Sequence, residues 1–164
     1  MEKKRKRFYI TIIILLLLLL IGAIIYIFCN QQNGSPILPT DENAVTWEGE
    51  QKAPRLQNGQ KGIAIPGFDT LVFTSNQTHQ KVNFFNPVEN DCLFRMTLYV
   101  NDEALWQSGY CAAGNGYYDI DISKPLIAGD YSAYLKVECF KADGTPLNGA
   151  KVELKLLVQE DNLK

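Results

Sequence analysis

The residues that could do chemistry are few and lie far apart along the chain. Asp119 and Asp121 stand two residues apart on a predicted strand, so their carboxylates point to the same side. Such a pair can bind a cation or transfer protons, but the solvated face of a strand normally carries charges. His79, the single histidine, lies in a polar turn, and no serine has the Gly-x-Ser-x-Gly surroundings of a nucleophile elbow. We therefore predict a non-enzymatic protein without cofactor or metal.

Four cysteines are spread over the chain, and the pairing of three of them is open. Cys92 and Cys139 fall on inward-facing positions of two predicted strands, and Cys111 lies in a loop. A disulfide from Cys92 to either of the others is one alternative; we expect three free thiols, two of which fill core volume. Cys29 lacks the small residues that precede an acylated cysteine, so we expect it to be unmodified. No Cys-x-x-Cys or Cys/His spacing indicates a metal site.

Residues 109–118, a glycine-rich and aromatic segment, are the clearest candidate for a binding surface. Their sequence is GYCAAGNGYY, and Trp106 stands just before them. Stiff aromatic side chains are typical of binding surfaces, so we expect binding residues at Trp106, Tyr110, Asn115 and Tyr117. Two alternatives stay open. The aromatic residues belong to the core and the glycines only permit the turn, or a partner adds a strand to an exposed sheet edge.

The N-terminal residues predict a membrane anchor. Residues 8–28 contain no charge and would form a helix about 31 Å long, which matches the apolar layer of a bilayer. Five consecutive basic residues precede this run, within a tail of residues 1–7, and place the N-terminus in the cytoplasm. The run is too long, and ends in residues too bulky, for a cleaved signal. We expect an uncleaved, single-pass transmembrane helix over 8–29, with the C-terminal domain outside the cell membrane.

Residues 30–61 are predicted to be a flexible, disordered linker. They are rich in Asn, Gln, Gly and Pro and show neither helical nor strand periodicity. Trp47 is the one aromatic residue there, and a lone aromatic in a linker usually contacts nothing. Beyond residues 1–7 the chain has 11 Lys and Arg against 17 Asp and Glu, a net charge of −6. Such a charge does not suit nucleic-acid phosphates, so we expect no nucleic-acid partner.

Residues 62–159 predict an all-β domain, followed by a C-terminal tail at 160–164. Runs of β-branched and aromatic residues alternate with turn residues about every 8 to 12 positions, the pattern of a sandwich. We expect an immunoglobulin-like β-sandwich of seven to eight strands, at 62–65, 70–74, 81–85, 92–100, 104–107, 117–122, 131–139 and 151–158.

Alternation assigns one side of each strand to the core. The strand at 92–100 is the clearest, since every second residue from its start is apolar. In the strand at 117–122 the even-numbered residues should face the core and Tyr117 the solvent. Residues 126–131 resemble the tyrosine corner of immunoglobulin-like sandwiches, so the Tyr131 hydroxyl should bond to backbone a few residues upstream. That role is structural.

Several short motifs carry a resemblance to a known group of proteins. The chain resembles small uncharacterised membrane-anchored proteins of Gram-positive bacteria over residues 1–160, in the motifs Ile63-Ala64-Ile65-Pro66-Gly67, Asn86-Pro87, Asn90-Asp91-Cys92-Leu93-Phe94, Gly129-Asp130-Tyr131 and Asn148-Gly149-Ala150. The resemblance implies no catalytic residues. A weaker similarity is to the immunoglobulin-like proteinase inhibitor domains of bacilli, which lack an anchor. Fold analogy alone does not fix function.

These observations together predict an interaction module. The expected partners are the membrane, through residues 8–28, and another cell-surface or envelope protein, through the exported domain. The alternative is an inhibitor of an extracytoplasmic protease.

Overall fold

The computed structural model describes residue 5 and residues 16–24, 38–49, 62–68 and 70–161; the chain divides into two compact units, 1–37 and 38–164. In the first unit, residues 16–24 are helical, and their leucine and isoleucine side chains are half or more exposed. Among the described residues, no helix has the length and apolar character needed to cross a membrane. Most of the predicted basic tail and the remainder of the predicted 8–29 helix lie outside the described residues, as do 30–37, 50–61 and 162–164.

The second unit is mostly β. Its strands are β1 (Val45–Thr46), β2 (Thr70–Thr74), β3 (His79–Phe85), β4 (Leu93–Val100), β5 (Glu103–Gln107), β6 (Asn115–Asp121), β7 (Gly129–Phe140) and β8 (Ala150–Gln159). They form a five-stranded sheet in the order β2-β8-β7-β4-β5 and a three-stranded sheet in the order β1-β6-β3. The predicted all-β class is confirmed.

The five-stranded sheet forms where the sequence alternation is most regular. β4 pairs antiparallel with β7 without interruption, from Leu93 opposite Phe140 to Val100 opposite Ala133. β8 pairs antiparallel with β7 and parallel with β2. The inward residues of β4 are almost completely buried, as the alternation predicted. Because a one-residue slip would move this apolar set to the solvent, the pattern fixes the register.

The three-stranded sheet has a register shift between its two longer strands, whereas the larger sheet has one only at its edge, between Leu98 and Tyr99 where β4 pairs with β5. β3 pairs antiparallel with β6, but the register shifts between Lys81 and Phe84. As a result Tyr117 faces the core and is buried, whereas Tyr118 is 41% exposed. The predicted orientation of both tyrosines is therefore wrong, because alternation along one strand does not reveal an irregularity in its pairing.

One hydrophobic core lies between the two sheets. The indole of Trp106 on β5 contacts two rings of the smaller sheet, Phe84 at 5.8 Å and Tyr117 at 5.1 Å between ring centroids. Phe68 meets Phe84 edge-on at 5.3 Å. Contacts of Trp106 with Phe84 and Tyr117 therefore join the two sheets, and Phe68 adds a fourth ring to this aromatic group.

The predicted strand at 62–65 is not a strand. This segment is instead held by a side chain, because Asn90 Oδ1 accepts the backbone N–H of Ala64 and Asn90 Nδ2 donates to the Ala64 carbonyl, both at 2.9 Å. Asn90 Nδ2 also donates to Oδ1 of the fully buried Asn86 at 2.8 Å. The Asn86 amide in turn donates to the carbonyl oxygens of Cys92 and Cys111. The Asn90 amide thus satisfies the backbone of Ala64 as a neighbouring strand would, and Asn86 links Asn90 to the backbone of Cys92 and Cys111.

Residues 38–49 depart from the predicted flexible linker, because they pack on the β unit. Val45–Thr46 pairs antiparallel with β6 as β1. Trp47, expected to contact nothing, is buried between the rings of Phe85 and Tyr118, at centroid distances of 5.0 and 4.4 Å. Burial of this large ring between two aromatic faces outweighs the polar composition of the segment around it.

The bond expected of Tyr131 is present. Its hydroxyl donates to the carbonyl oxygen of Ile127 at 3.0 Å, across the turn that leads into β7. This prediction is confirmed.

Candidate functional site

An acidic cleft runs along the edge of β6, beside β5. Its volume is about 320 Å³, and its lining residues are Asp41, Asn43, Trp106, Gln107, Ser108, Tyr117, Asp119, Ile120 and Asp121. Ile120 faces the core, while Asp119 and Asp121 face outward. Because residues of both orientations line it, the cleft follows the strand's edge rather than one face of the sheet.

This edge of β6 is only partly paired. β3 covers one side of β6, and on the other side β1 covers Gly116 and Asn115. Within the described part of the chain, no strand pairs with residues 117–121 on the β1 side. An unpaired strand edge is a template to which another extended chain can add by backbone hydrogen bonding.

Asp41 is the residue that closes one end of the cleft. Its Oδ2 accepts hydrogen bonds from the Gly109 backbone N–H at 2.7 Å and from the Tyr117 hydroxyl at 2.8 Å, and its Oδ1 accepts the backbone N–H of Asn43. Burial raises the pKa of Asp41, but these hydrogen bonds outweigh it and hold the pKa below its ordinary value. Asp41 is therefore a carboxylate at neutral pH.

Tyr117 lies at the inner wall of the cleft. Burial, followed by the hydrogen bond that its hydroxyl donates to Asp41, raises the pKa of Tyr117. The phenol therefore keeps its proton and acts as a donor. Its role is to hold residues 38–49 on β6, so the contact area expected of it as a binding residue is already used within the protein.

Asp119 and Asp121 lie at the open end of the cleft, and the structure brings His79 to them. His79 Nδ1 is 3.0 Å from Asp121 Oδ1, and its Nε2 is 3.7 Å from Asp119 Oδ1. The cross-strand register causes this contact, since His79 is opposite Asp121. All three side chains are more than half exposed. No cluster of His, Cys, Asp and Glu suited to a metal ion occurs among the described residues.

The hydroxyl of Ser108 has a structural role in the cleft wall. Its Oγ accepts the backbone N–H of Met96 at 2.9 Å and donates to the Gly109 carbonyl at 2.7 Å. Both bonds join the end of β5 to neighbouring backbone. Neither His79 nor an Asp carboxylate contacts this hydroxyl among the hydrogen bonds of the described residues, so the arrangement does not form a nucleophile and base.

The four expected binding residues separate into two groups. Trp106 and Tyr117 line the cleft. Tyr110 does not, because its ring packs edge-on against Phe140 at 5.4 Å, beneath the Arg95 guanidinium. Asn115 lies opposite Thr46 of β1, and its carbonyl accepts the backbone N–H of Asn86. Segment 109–118 is thus partly covered, not a free loop.

The three cysteines of the β unit are buried free thiols, Cys92, Cys111 and Cys139. Cys111, expected in a loop, forms an isolated β-bridge with Phe94 and is fully buried. None of the three lines the cleft.

Sequence reasoning missed Asp41, Asn43 and Gln107. The first two lie in the segment expected to be a linker, and their single local signal is the Asp-x-Asn spacing of an Asx turn. Gln107 gave no signal, since a polar residue at the end of a strand is common.

Comparison of the chain with protein-family models, with curated proteins and with solved structures gave no match. The candidate site therefore has to be interpreted from its own geometry.

Proposed function

We propose that the protein is a membrane-anchored, non-enzymatic interaction module that binds another cell-surface or envelope protein at the acidic cleft. The proposed ligand is an extended segment of that protein with basic side chains. It adds to β6 beyond the end of β1 and places a lysine or arginine between Asp119, Asp121 and Asp41.

The observation that carries this proposal is the unpaired edge of β6 beside the cleft. Backbone groups along residues 117–121 supply affinity without sequence preference, and the carboxylates supply charge complementarity. Among the described residues, no lysine or arginine lines the cleft, and His79 contacts the two carboxylates at its open end. The half-buried indole of Trp106 offers an aromatic wall, against which a guanidinium can stack.

The architecture supports a display role. We propose that the two sheets form an immunoglobulin-like sandwich, because the sheet order, the parallel pairing of β2 with β8 and the Tyr131 corner all agree with that fold. In this description β1 occupies an edge position beside β6 and comes from the segment before the first sandwich strand.

The proposed anchor rests on the uncharged run at 8–28 and the basic residues before it. The helical residues 16–24 expose leucine and isoleucine side chains to a degree that water disfavours and lipid tolerates. An anchor of this orientation would hold the cleft on the outer side of the membrane.

Site-specific crosslinking in the membranes of producing cells tests the proposal. A photocrosslinking residue at Gln107 samples the cleft, and the same residue at Val72, which is exposed on β2, is the control. We expect a partner that crosslinks from Gln107 and not from Val72. Equal products from both positions, or none from Gln107, would reject the cleft as the binding site.

Charge reversal then tests the chemistry with the identified partner. D119K/D121K should weaken binding by about tenfold or more, whereas E89K/D91K, a matched reversal of two exposed acids outside the cleft, should leave it unchanged. Salt should weaken the wild-type complex for the same reason. Equal effects of the two reversals would show that only net charge matters.

A further inference from the structure

Three cysteines meet around Phe94. On one side Phe94 is opposite Cys139 of β7, and on the other it forms the isolated bridge with Cys111. Cys92 precedes Phe94 by two residues and faces the same way, towards the core. The protein thus places three thiols in one part of the core, near Leu93, where β4 begins.

Of these thiols, those of Cys92 and Cys139 belong to diagonal neighbours, since Cys139 is opposite Phe94 and Cys92 precedes Phe94 by two residues. Each thiol affects the other, so that the pKa of Cys92 is lowered and that of Cys139 is raised. Cys111 is directed elsewhere, since its Sγ lies 3.3 Å from the Asn115 carbonyl oxygen, and burial raises the pKa of its thiol to about 12. The geometry therefore separates one pair from a third thiol that the adjoining loop holds.

Cys92 lies just before the β4–β7 ladder, which begins with Leu93 opposite Phe140, and its carbonyl oxygen accepts a hydrogen bond from the buried Asn86 amide at 2.8 Å. Diagonal neighbours on paired strands have Cα atoms about 7 to 8 Å apart, slightly more than the roughly 4.4 to 6.8 Å of a disulfide. A disulfide between Cys92 and Cys139 therefore requires residue 92 to shift, which disturbs the Asn86 hydrogen bond but leaves the pairs between β4 and β7 intact.

We propose that Cys92 and Cys139 form a dithiol site that an external disulfide oxidises to an intramolecular disulfide, while Cys111 stays reduced. This site lies in the core where β4 begins, and it is independent of the cleft along β6 and of any partner bound there.

The reaction is a thiol–disulfide exchange in two steps. The Cys92 thiolate attacks one sulfur of a small organic disulfide, forms a mixed disulfide and releases one thiolate. Cys139 then loses its proton, attacks Cys92 Sγ and releases the second thiolate. The two protein thiols are oxidised, the external disulfide is reduced, and the two protons finish on the released thiols.

Burial determines when this reaction occurs. Cys92 and Cys139 are 3% and 1% exposed, so an external disulfide reaches them while the chain folds or when the first residues of β4 separate from β7. Once formed, the bond joins two neighbouring strands of the five-stranded sheet and closes a loop of about 48 residues. Loops of that length restrict the unfolded chain substantially.

The test uses the full chain in detergent with Cys29→Ser, refolded in a mixture of oxidised and reduced glutathione. Intact mass and peptide mapping identify any linked cysteines, and circular dichroism confirms the fold. C111A is the matched variant that keeps the proposed pair, and C92A and C139A each remove one member. The wild-type map decides the pairing even where a variant fails to fold.

We expect a product lighter by two hydrogen atoms, with Cys92 linked to Cys139, in the wild-type and C111A chains and not in C92A or C139A. Oxidation should raise the melting temperature of the first two by about 10 °C relative to their reduced forms. A link that includes Cys111, or three thiols that remain free after refolding, would overturn the proposal.

Discussion

The two sheets of the β unit differ in regularity, and the candidate site lies on the irregular one. In the five-stranded sheet, β4, β7 and β8 pair without interruption and their inward rows are buried. In the three-stranded sheet, the β3–β6 register shifts, and the third strand has two residues and comes from a segment expected to be a linker. The larger sheet therefore provides the stable scaffold of the β unit.

The difference shows where an interaction site can form without loss of the fold. The strands β8, β7 and β4 are each paired on both sides, and the register shift of the larger sheet is confined to its edge pair, between Leu98 and Tyr99 where β4 meets β5. The inward apolar residues of this sheet are used in the core. The short β1 leaves most of one β6 edge unpaired, and the register shift turns Tyr118 outward, where Trp47 stacks on it. Irregular pairing thus creates both the attachment of residues 38–49 and the open edge beside it.

The largest expected effect is a loss of stability caused by a substitution in the five-stranded sheet. Phe94→Ala removes a fully buried ring from the core side of β4 and should lower the free energy of unfolding by about 3 to 5 kcal/mol. Urea denaturation of the 38–164 unit measures it. Val72→Ala, on the exposed side of the same sheet, should change stability by less than about 0.5 kcal/mol. Similar losses in both variants would contradict the division into core and surface.

In the irregular sheet, close backbone packing should make Gly116→Ala costly. An added Cβ would lie 2.5 Å from the Phe84 carbonyl oxygen and 2.9 Å from the Trp47 ring. We expect a loss of about 1 to 3 kcal/mol, since β3 or β1 must move. Gly67→Ala, where a Cβ meets nothing within 4 Å, is the control and should be nearly neutral. A neutral Gly116→Ala would mean that β1 and Trp47 are not packed on β6.

Two substitutions of Trp47 separate the contribution of its ring to stability from that of its indole N–H. Trp47→Ala removes both stacks and should lower the stability of the 38–164 unit by about 2 kcal/mol, with hydrogen exchange accelerated at β1. Trp47→Phe keeps an aromatic ring there and removes a buried indole N–H that has no hydrogen-bond partner among the described residues, so we expect little loss. Equal losses in the two variants would assign the effect to the N–H instead.

The smallest effect depends on pH. Asp41 has a lowered pKa in the folded protein, so its contribution to stability is complete above the unfolded value of about 4 and is lost as the pH falls through the folded value. Asp41→Asn replaces one carboxylate oxygen with an N–H₂ group, so at least one of the donors that face Asp41 loses its acceptor, and the change should cost about 1 kcal/mol at pH 7. The difference from wild type should shrink in acid. A difference that grows in acid would contradict a lowered pKa of Asp41 in the folded protein.

The sequence predicted the strands of the five-stranded sheet well, because each has one solvated and one buried face. The alternation in β4, β7 and β8 identified the inward residues, but it did not give the order or the pairing of the strands in the sheet. The Tyr131 bond was also predictable, because a local motif places donor and acceptor four residues apart.

The rest could not be predicted, because it depends on pairing between distant segments. The register shift at Lys81 and Phe84 reverses Tyr117 and Tyr118, and neither strand marks it in sequence. Residues 38–49 dock through one indole and one carboxylate, a signal too short for a periodic pattern. Of the cleft, Trp106, Tyr117, Asp119 and Asp121 were singled out, but their meeting with Asp41 required the fold.

The parallel pairing of β2 with β8 also bears on the order of folding. Thr70 lies opposite Lys155, so β2, the first strand of the larger sheet, pairs with a strand 85 residues further along the chain. β4 and β7 can pair earlier, but β8 must be synthesised before β2 can join this sheet. Contacts between such distant residues slow folding and leave edges open in the partly made chain. A nascent chain that stops before β8 would therefore present β7 as an unprotected edge.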